Sequence, residues 1–141
     1  MTGNVQVVLT GCQIDEAGEE TITESRTAAE CHEKNGGFYL LYEEDPEGVE
    51  TPVRNIIKLK GSILELTKRG AINARMVFEA GKEHVTDYIT PYGRLRMEVF
   101  TRAVKTSFQG KEMTIRAEYT LSSDNRLISS CVLTIRVSPL S

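Results

Sequence analysis

Cysteine is scarce in this chain: Cys12, Cys31 and Cys131 are odd in number and show no CxxC spacing. That excludes a disulfide framework and fits a reducing compartment, where buried thiols act as small apolar groups. Metal motifs are missing too. There is no HExxH, Cys31 and His32 are adjacent and so badly placed to grip one ion together, and His84 stands alone. No glycine-rich phosphate loop is present, because Gly36-Gly37 precedes a strand pattern instead of a helix. No apolar run approaches the ~20 residues of a membrane span. Leu9-Thr10-Gly11-Cys12 has the letters of a lipoprotein cleavage site, but no Lys or Arg precedes it and Gln6 breaks its apolar stretch. These absences predict a cytoplasmic protein with no membrane association, no metal and no cofactor, and they argue against an enzyme.

What is present describes an ordinary soluble globule. The chain of 141 residues has the size of one domain, 40% of it hydrophobic and 26% charged. We therefore read residues 1–141 as a single domain. The net charge of −3 hides an asymmetry: residues 1–50 hold 12 acids against two bases, and residues 51–141 hold 15 bases against 8 acids. Such halves raise the possibility of a nucleic-acid partner for the basic part. Acidic and basic strands lying side by side explain them better, because no basic run exceeds two residues.

Alternation with a period of two runs through most of the chain. It is clearest in His84–Arg102, where two alternating segments meet at Pro91-Tyr92-Gly93, a turn in which proline fixes φ and glycine supplies positive φ. Further strands are predicted over 4–10, 21–34, 38–42, 54–60, 63–68, 71–79, 112–122 and 126–137. Helical propensity competes only over Arg26–Lys34. The turns fall at Asn35-Gly36-Gly37, Asp45-Pro46-Glu47-Gly48, Gly61-Ser62, Arg69-Gly70, Gln109-Gly110 and Asp124-Asn125. Phe100 lies out of phase with Leu95, Met97 and Val99, which places a bulge near it. Leu127, Cys131, Leu133, Ile135 and Val137 share one phase and are expected in the core. Consecutive short strands with tight turns predict an all-β, closed antiparallel barrel of eight to ten strands, with little helix.

Tyr42-Glu43-Glu44, Leu59-Lys60-Gly61, Lys68-Arg69-Gly70, Met76-Val77-Phe78 and above all Tyr88-Ile89-Thr90-Pro91-Tyr92-Gly93 carry a resemblance. In this order they are similar to the uncharacterised bacterial YwiB-like family, described as calycin-like β-barrels, over about Val5 to Val137. The resemblance implies a barrel of calycin or lipocalin shape. It brings no activity and no catalytic residues, and it raises the prospect of a cavity by analogy alone.

Chemistry is hard to find in the residues. Cys131 sits inside an alternating strand and reads as core, and Glu43-Glu44 are strand neighbours that face opposite sides. The basic residues Arg54, Lys58 and Lys60 face water if Ile57 and Leu59 face the interior. Tyrosines combine an apolar body with a polar tip, and Tyr42, Tyr88 and Tyr92 fall at strand ends. The expected function is non-enzymatic binding of a small, partly apolar molecule at one mouth of the barrel. Its site residues would be Tyr42, Tyr88 and Tyr92 with Met76 and Phe78 behind them. The alternative is an interaction or RNA-associated protein using the basic face of residues 54–105, in either case as a monomer or homodimer.

Overall fold

A computed structural model describes residues 2–45 and 50–140. Its ten strands run in chain order as β1 (Gly3–Asp15), β2 (Glu20–Lys34), β3 (Gly37–Glu44), β4 (Val53–Lys60), β5 (Ile63–Gly70), β6 (Ala74–Phe78), β7 (Glu83–Thr90), β8 (Gly93–Gln109), β9 (Glu112–Ser123) and β10 (Arg126–Pro139). Among the described residues there is no helix. Apart from β6 and β7, each strand pairs antiparallel with its neighbours in sequence, and β1 also pairs with β10, so the order is β6-β5-β4-β3-β2-β1-β10-β9-β8-β7. The result is an up-and-down ten-stranded barrel whose one loose seam lies between β6 and β7. That seam is held by the bridge Asn73↔Ile89 and by the Thr86 hydroxyl, which donates to the Arg75 carbonyl at 3.0 Å.

The alternation of side chains sorts apolar groups inward. Leu40 on β3 faces Ile57 on β4, then Leu66 on β5 and Met76 on β6; Val7, Val137, Met113 and Ile115 form the opposite wall. Phe78 is fully buried, with its ring 4.7 Å from that of Tyr119. Phe38 and Phe108, 6.3 Å apart, meet across the end of the barrel where the β2–β3 and β8–β9 turns lie. Outside, Arg54 and Lys60 are exposed while Ile57 and Leu59 are buried, as the phase of β4 requires.

The expected bulge in β8 falls between Thr101 and Ala103. On the side of β8 that faces β7, the Thr101 backbone accepts from Gly81 N at 2.8 Å and donates to Lys82 O at 3.1 Å, which ties the β6–β7 loop to β8. A second bulge, between Leu127 and Ser129, is not signalled by the residue pattern and corrects one expectation. The shift turns Leu127 outward, 46% exposed, while Cys131, Ile135 and Val137 stay buried. β6 is shorter than the segment 71–79. Gly70 at φ +123 lies so close to Pro52, just before β4, that a Cβ there would clash with the Pro52 carbonyl oxygen. The Asn73 amide then donates to the Gly70 carbonyl at 2.8 Å, so the chain turns before it extends. β1 runs further than residues 4–10, because β2 and β10 pair with it on both sides up to an Asp15 turn. There Asp15 Oδ1 accepts from Ala17 N and Glu19 N, each at 2.9 Å. Of the turn expected at Asp45-Pro46-Glu47-Gly48, all but Asp45 lies outside the described residues.

Candidate functional site

Strand length decides where this barrel opens. β2 has 15 residues and β3 only 8, and the two pair just from Glu30↔Leu41 to Lys34↔Gly37. Over Glu20–Ala29, β2 runs with β1 alone while β3 continues toward β4. Where they part, a cavity of ≈ 180 Å³ reaches the interior, lined by Leu9 and Ser25 on one side and by Tyr42, Glu44, Asn55, Ile57, Leu66 and Lys68 on the other. A shallower groove of ≈ 570 Å³ lies on the outer face of β2–β4, lined by Ala28, Glu30, Leu41, Glu43 and Arg54 among others. The two share Tyr42, Asn55 and Ile56. The outer groove is larger, but the inner cavity holds the polar groups that point into the barrel.

Register explains those groups. Tyr42 pairs with Asn55, Asn55 with Lys68 and Lys68 with Ala74, so one level of the barrel carries tyrosine, amide and ammonium on its inner face. Glu44, two residues beyond Tyr42, points the same way. Asn55 Nδ2 donates to Glu44 Oε1 at 2.7 Å, and Lys68 Nζ donates to Glu44 Oε1 and to Asn55 Oδ1, both at 2.8 Å. Asn55 is 4% exposed, and a buried amide or ammonium is tolerable only with such partners. Burial works to raise the Glu44 carboxyl, but the hydrogen bond and charge of Lys68 and the Asn55 amide outweigh it and hold it below the usual carboxylate range. Burial, aided by the Glu44 charge, pushes the Tyr42 phenol up to about 12, so it remains a neutral donor at physiological pH.

The structure places the five expected site residues as follows. Tyr42 is half-buried at the level of Asn55 and Lys68 and lines both cavities. Because Lys68 pairs with Ala74 and Asn73 bridges Ile89, the register carries Tyr88 of β7 to the same end of the barrel. Tyr92, 88% exposed, sits at the tip of the β7–β8 turn at that end. Met76 and Phe78 lie further inside, Met76 half-buried against the core and Phe78 fully enclosed. Neither they nor Tyr88 and Tyr92 line the two cavities. Glu44, Asn55 and Lys68 were missed from sequence. Their signal was phase: Lys68 follows Leu64 and Leu66, and Asn55 precedes Ile57 and Leu59, each on the buried face.

The other chemistry-bearing groups behave as structural residues. Burial raises the thiols of Cys31 and Cys131, Cys131 sits 3.3 Å from the Ser129 hydroxyl, and no disulfide joins the cysteines. Among the described residues no three His, Cys, Asp or Glu side chains are grouped to hold a metal ion. No helix among them is long and apolar enough to cross a membrane. The bases of residues 54–105 are largely matched by acids: Arg54 with Glu43, Arg75 with Glu65, Arg94 and Arg96 with Asp87, and Arg102 with Glu118.

The chain is similar in fold to the ywiB protein from Bacillus subtilis, whose crystal structure superposes with a TM-score of 0.86 at 18% identity, over 99% of this chain and 93% of that one. No curated protein matches the sequence. Residues 7–135 match the family model described as "Domain of unknown function (DUF1934)", and with most of its length inside that match the chain belongs to this family.

Proposed function

We propose that the protein binds a small, partly apolar molecule where β2 and β3 part, in the manner of calycin-like barrels and within the cytoplasm. One observation carries this reading: a hydrogen-bonded Glu44–Asn55–Lys68 group lines a cavity whose apolar wall includes Leu9, Ile57 and Leu66. Binding sites typically combine an apolar lining with a few placed polar groups. At ≈ 180 Å³ the cavity is below the ~300–1,000 Å³ of drug-sized sites, so the occupant is small. The apolar part would lie against Leu9, Ile57 and Leu66. Its polar end would meet the Tyr42 hydroxyl and the Lys68 ammonium. Tyr88 and Tyr92 would stand at the same end of the barrel, with Met76 and Phe78 deeper in the interior. A nucleic-acid role for the face formed by residues 54–105 gains less support, because five of its six arginines are already matched by acids.

The test is calorimetry and thermal shift with medium-chain carboxylic acids, the corresponding alcohols and aromatic carboxylates. Binding to the wild type should weaken by about tenfold or more in Lys68→Met, through loss of a charge-assisted hydrogen bond. Tyr39→Ala, on the outer face of β3, should leave it unchanged. If no compound binds, or if Lys68→Met binds as tightly as the wild type, the proposal fails.

A further inference from the structure

The parting of β2 from β3 also leaves a strand edge, and its chemistry is independent of the cavity reading. Asp15 N donates to Glu19 O at 3.1 Å, which makes that pair a hydrogen-bonded one. In an antiparallel ladder such pairs alternate, so Thr21, Thr23, Ser25, Thr27 and Ala29 exchange bonds with β1. Ile22, Glu24, Arg26 and Ala28 must then point their N–H and C=O groups away from it. The next residue of that series, Glu30, is where the ladder with β3 begins. Among the described residues no ladder occupies the edge before Glu30, and residues 20–26 are exposed.

We infer that this edge pairs with the same edge of a second copy of the chain, antiparallel about a two-fold axis at Ser25. Strand edges left open usually carry charge that repels a second strand. This one carries opposite charges in a self-complementary order. Centring the pairing on Ser25 sets Glu24 opposite Arg26 twice, Ile22 opposite Ala28 twice and Thr23 opposite Thr27 twice. These are the opposite-charge, apolar and Thr–Thr cross-strand pairs that stabilise antiparallel sheets. Moving the axis to Glu24 or to Arg26 would instead set two like charges face to face. Within one chain Glu24 and Arg26 already lie 3.3 Å apart on the outer face, so the two-fold would assemble four charges of alternating sign. Isologous contacts of this kind close as dimers and do not propagate. Glu30 is already paired with Leu41, so the shared ladder stops at Ile22 and Ala28 and Glu20 never has to face Glu30.

Sedimentation equilibrium of the full chain, from micromolar to about 0.5 mM so that mass action reveals weak pairing, tests the inference. The wild type should dimerise. Glu24→Arg and Arg26→Glu each turn two attractive pairs repulsive and should weaken the dimer by about tenfold or more. The double swap E24R/R26E restores the complementary order and should recover most of the lost affinity. Glu24→Pro removes an edge donor that β1 does not use and should abolish the dimer. Circular dichroism establishes that each variant is folded, and either single swap serves if the other is not. A chain that stays monomeric throughout overturns the inference. So does a dimer that neither single swap weakens, or one that the double swap fails to recover. Loss of small-molecule binding with the dimer intact would overturn only the cavity proposal.

Discussion

Replacing Asn55 with alanine is the sharpest probe of the polar group inside the barrel. The amide is 4% exposed, donates to Glu44 at 2.7 Å and accepts from Lys68 at 2.8 Å; its contact with the Val53 carbonyl, at 3.4 Å, is long enough to add little. A hydrogen bond to a charged group contributes about 1.5–3 kcal/mol, so the lower figure for both bonds gives about 3 kcal/mol. The Glu44 side chain is 47% exposed and that of Lys68 29%, so water replaces part of what is lost. A net destabilisation of about 2 kcal/mol remains. In a domain of this length that lowers Tm by about 4–8 °C. Urea unfolding followed by circular dichroism measures it, with Asn55→Leu as the control that fills the space but makes no hydrogen bond. If the bonds dominate, Asn55→Leu should be destabilised nearly as much as Asn55→Ala. A loss below about 0.5 kcal/mol in the alanine variant would be no more than an ordinary surface substitution shows and would refute the reasoning.

Two further outcomes follow from the packing and the surface charges. Phe78→Ala, at a fully buried position against Tyr119, should cost about 3–5 kcal/mol in denaturant unfolding, through lost burial and the cavity left behind. Hydrogen bonds from Arg96 and Arg94 hold the Asp87 carboxyl down at about 2, against an ordinary value of 3.8. A carboxyl lowered on folding contributes stability above its unfolded value, and loses that contribution as pH falls through the folded one. Stability measured from pH 5 downward should therefore fall across about 4 to 2, and Asp87→Asn should flatten that part of the curve.

The residue pattern by itself determined the strands and their turns. Alternation is a local property: Ile57 and Leu59 against Lys58 and Lys60 sort themselves onto two faces wherever the strand lies. The left-handed turn residues Asn35-Gly36 and Asp124-Asn125 likewise carry their conformation in the chain, with positive φ at all four. Neighbouring strands joined by such turns have few ways to pair other than as an antiparallel meander, so the barrel was legible as well. Tertiary structure decided what depends on partners distant in sequence. Leu127 has the phase of a core residue, and only the register of β10 against β9 turns it outward. Lys68 and Asn55 meet Glu44 because three strands of set register bring residues 11 and 24 positions apart to one level, and no local pattern carries that distance. The opening between β2 and β3 arises because β2 extends past β3 over the residues before Glu30, and strand length in a barrel is set by the neighbour it pairs with.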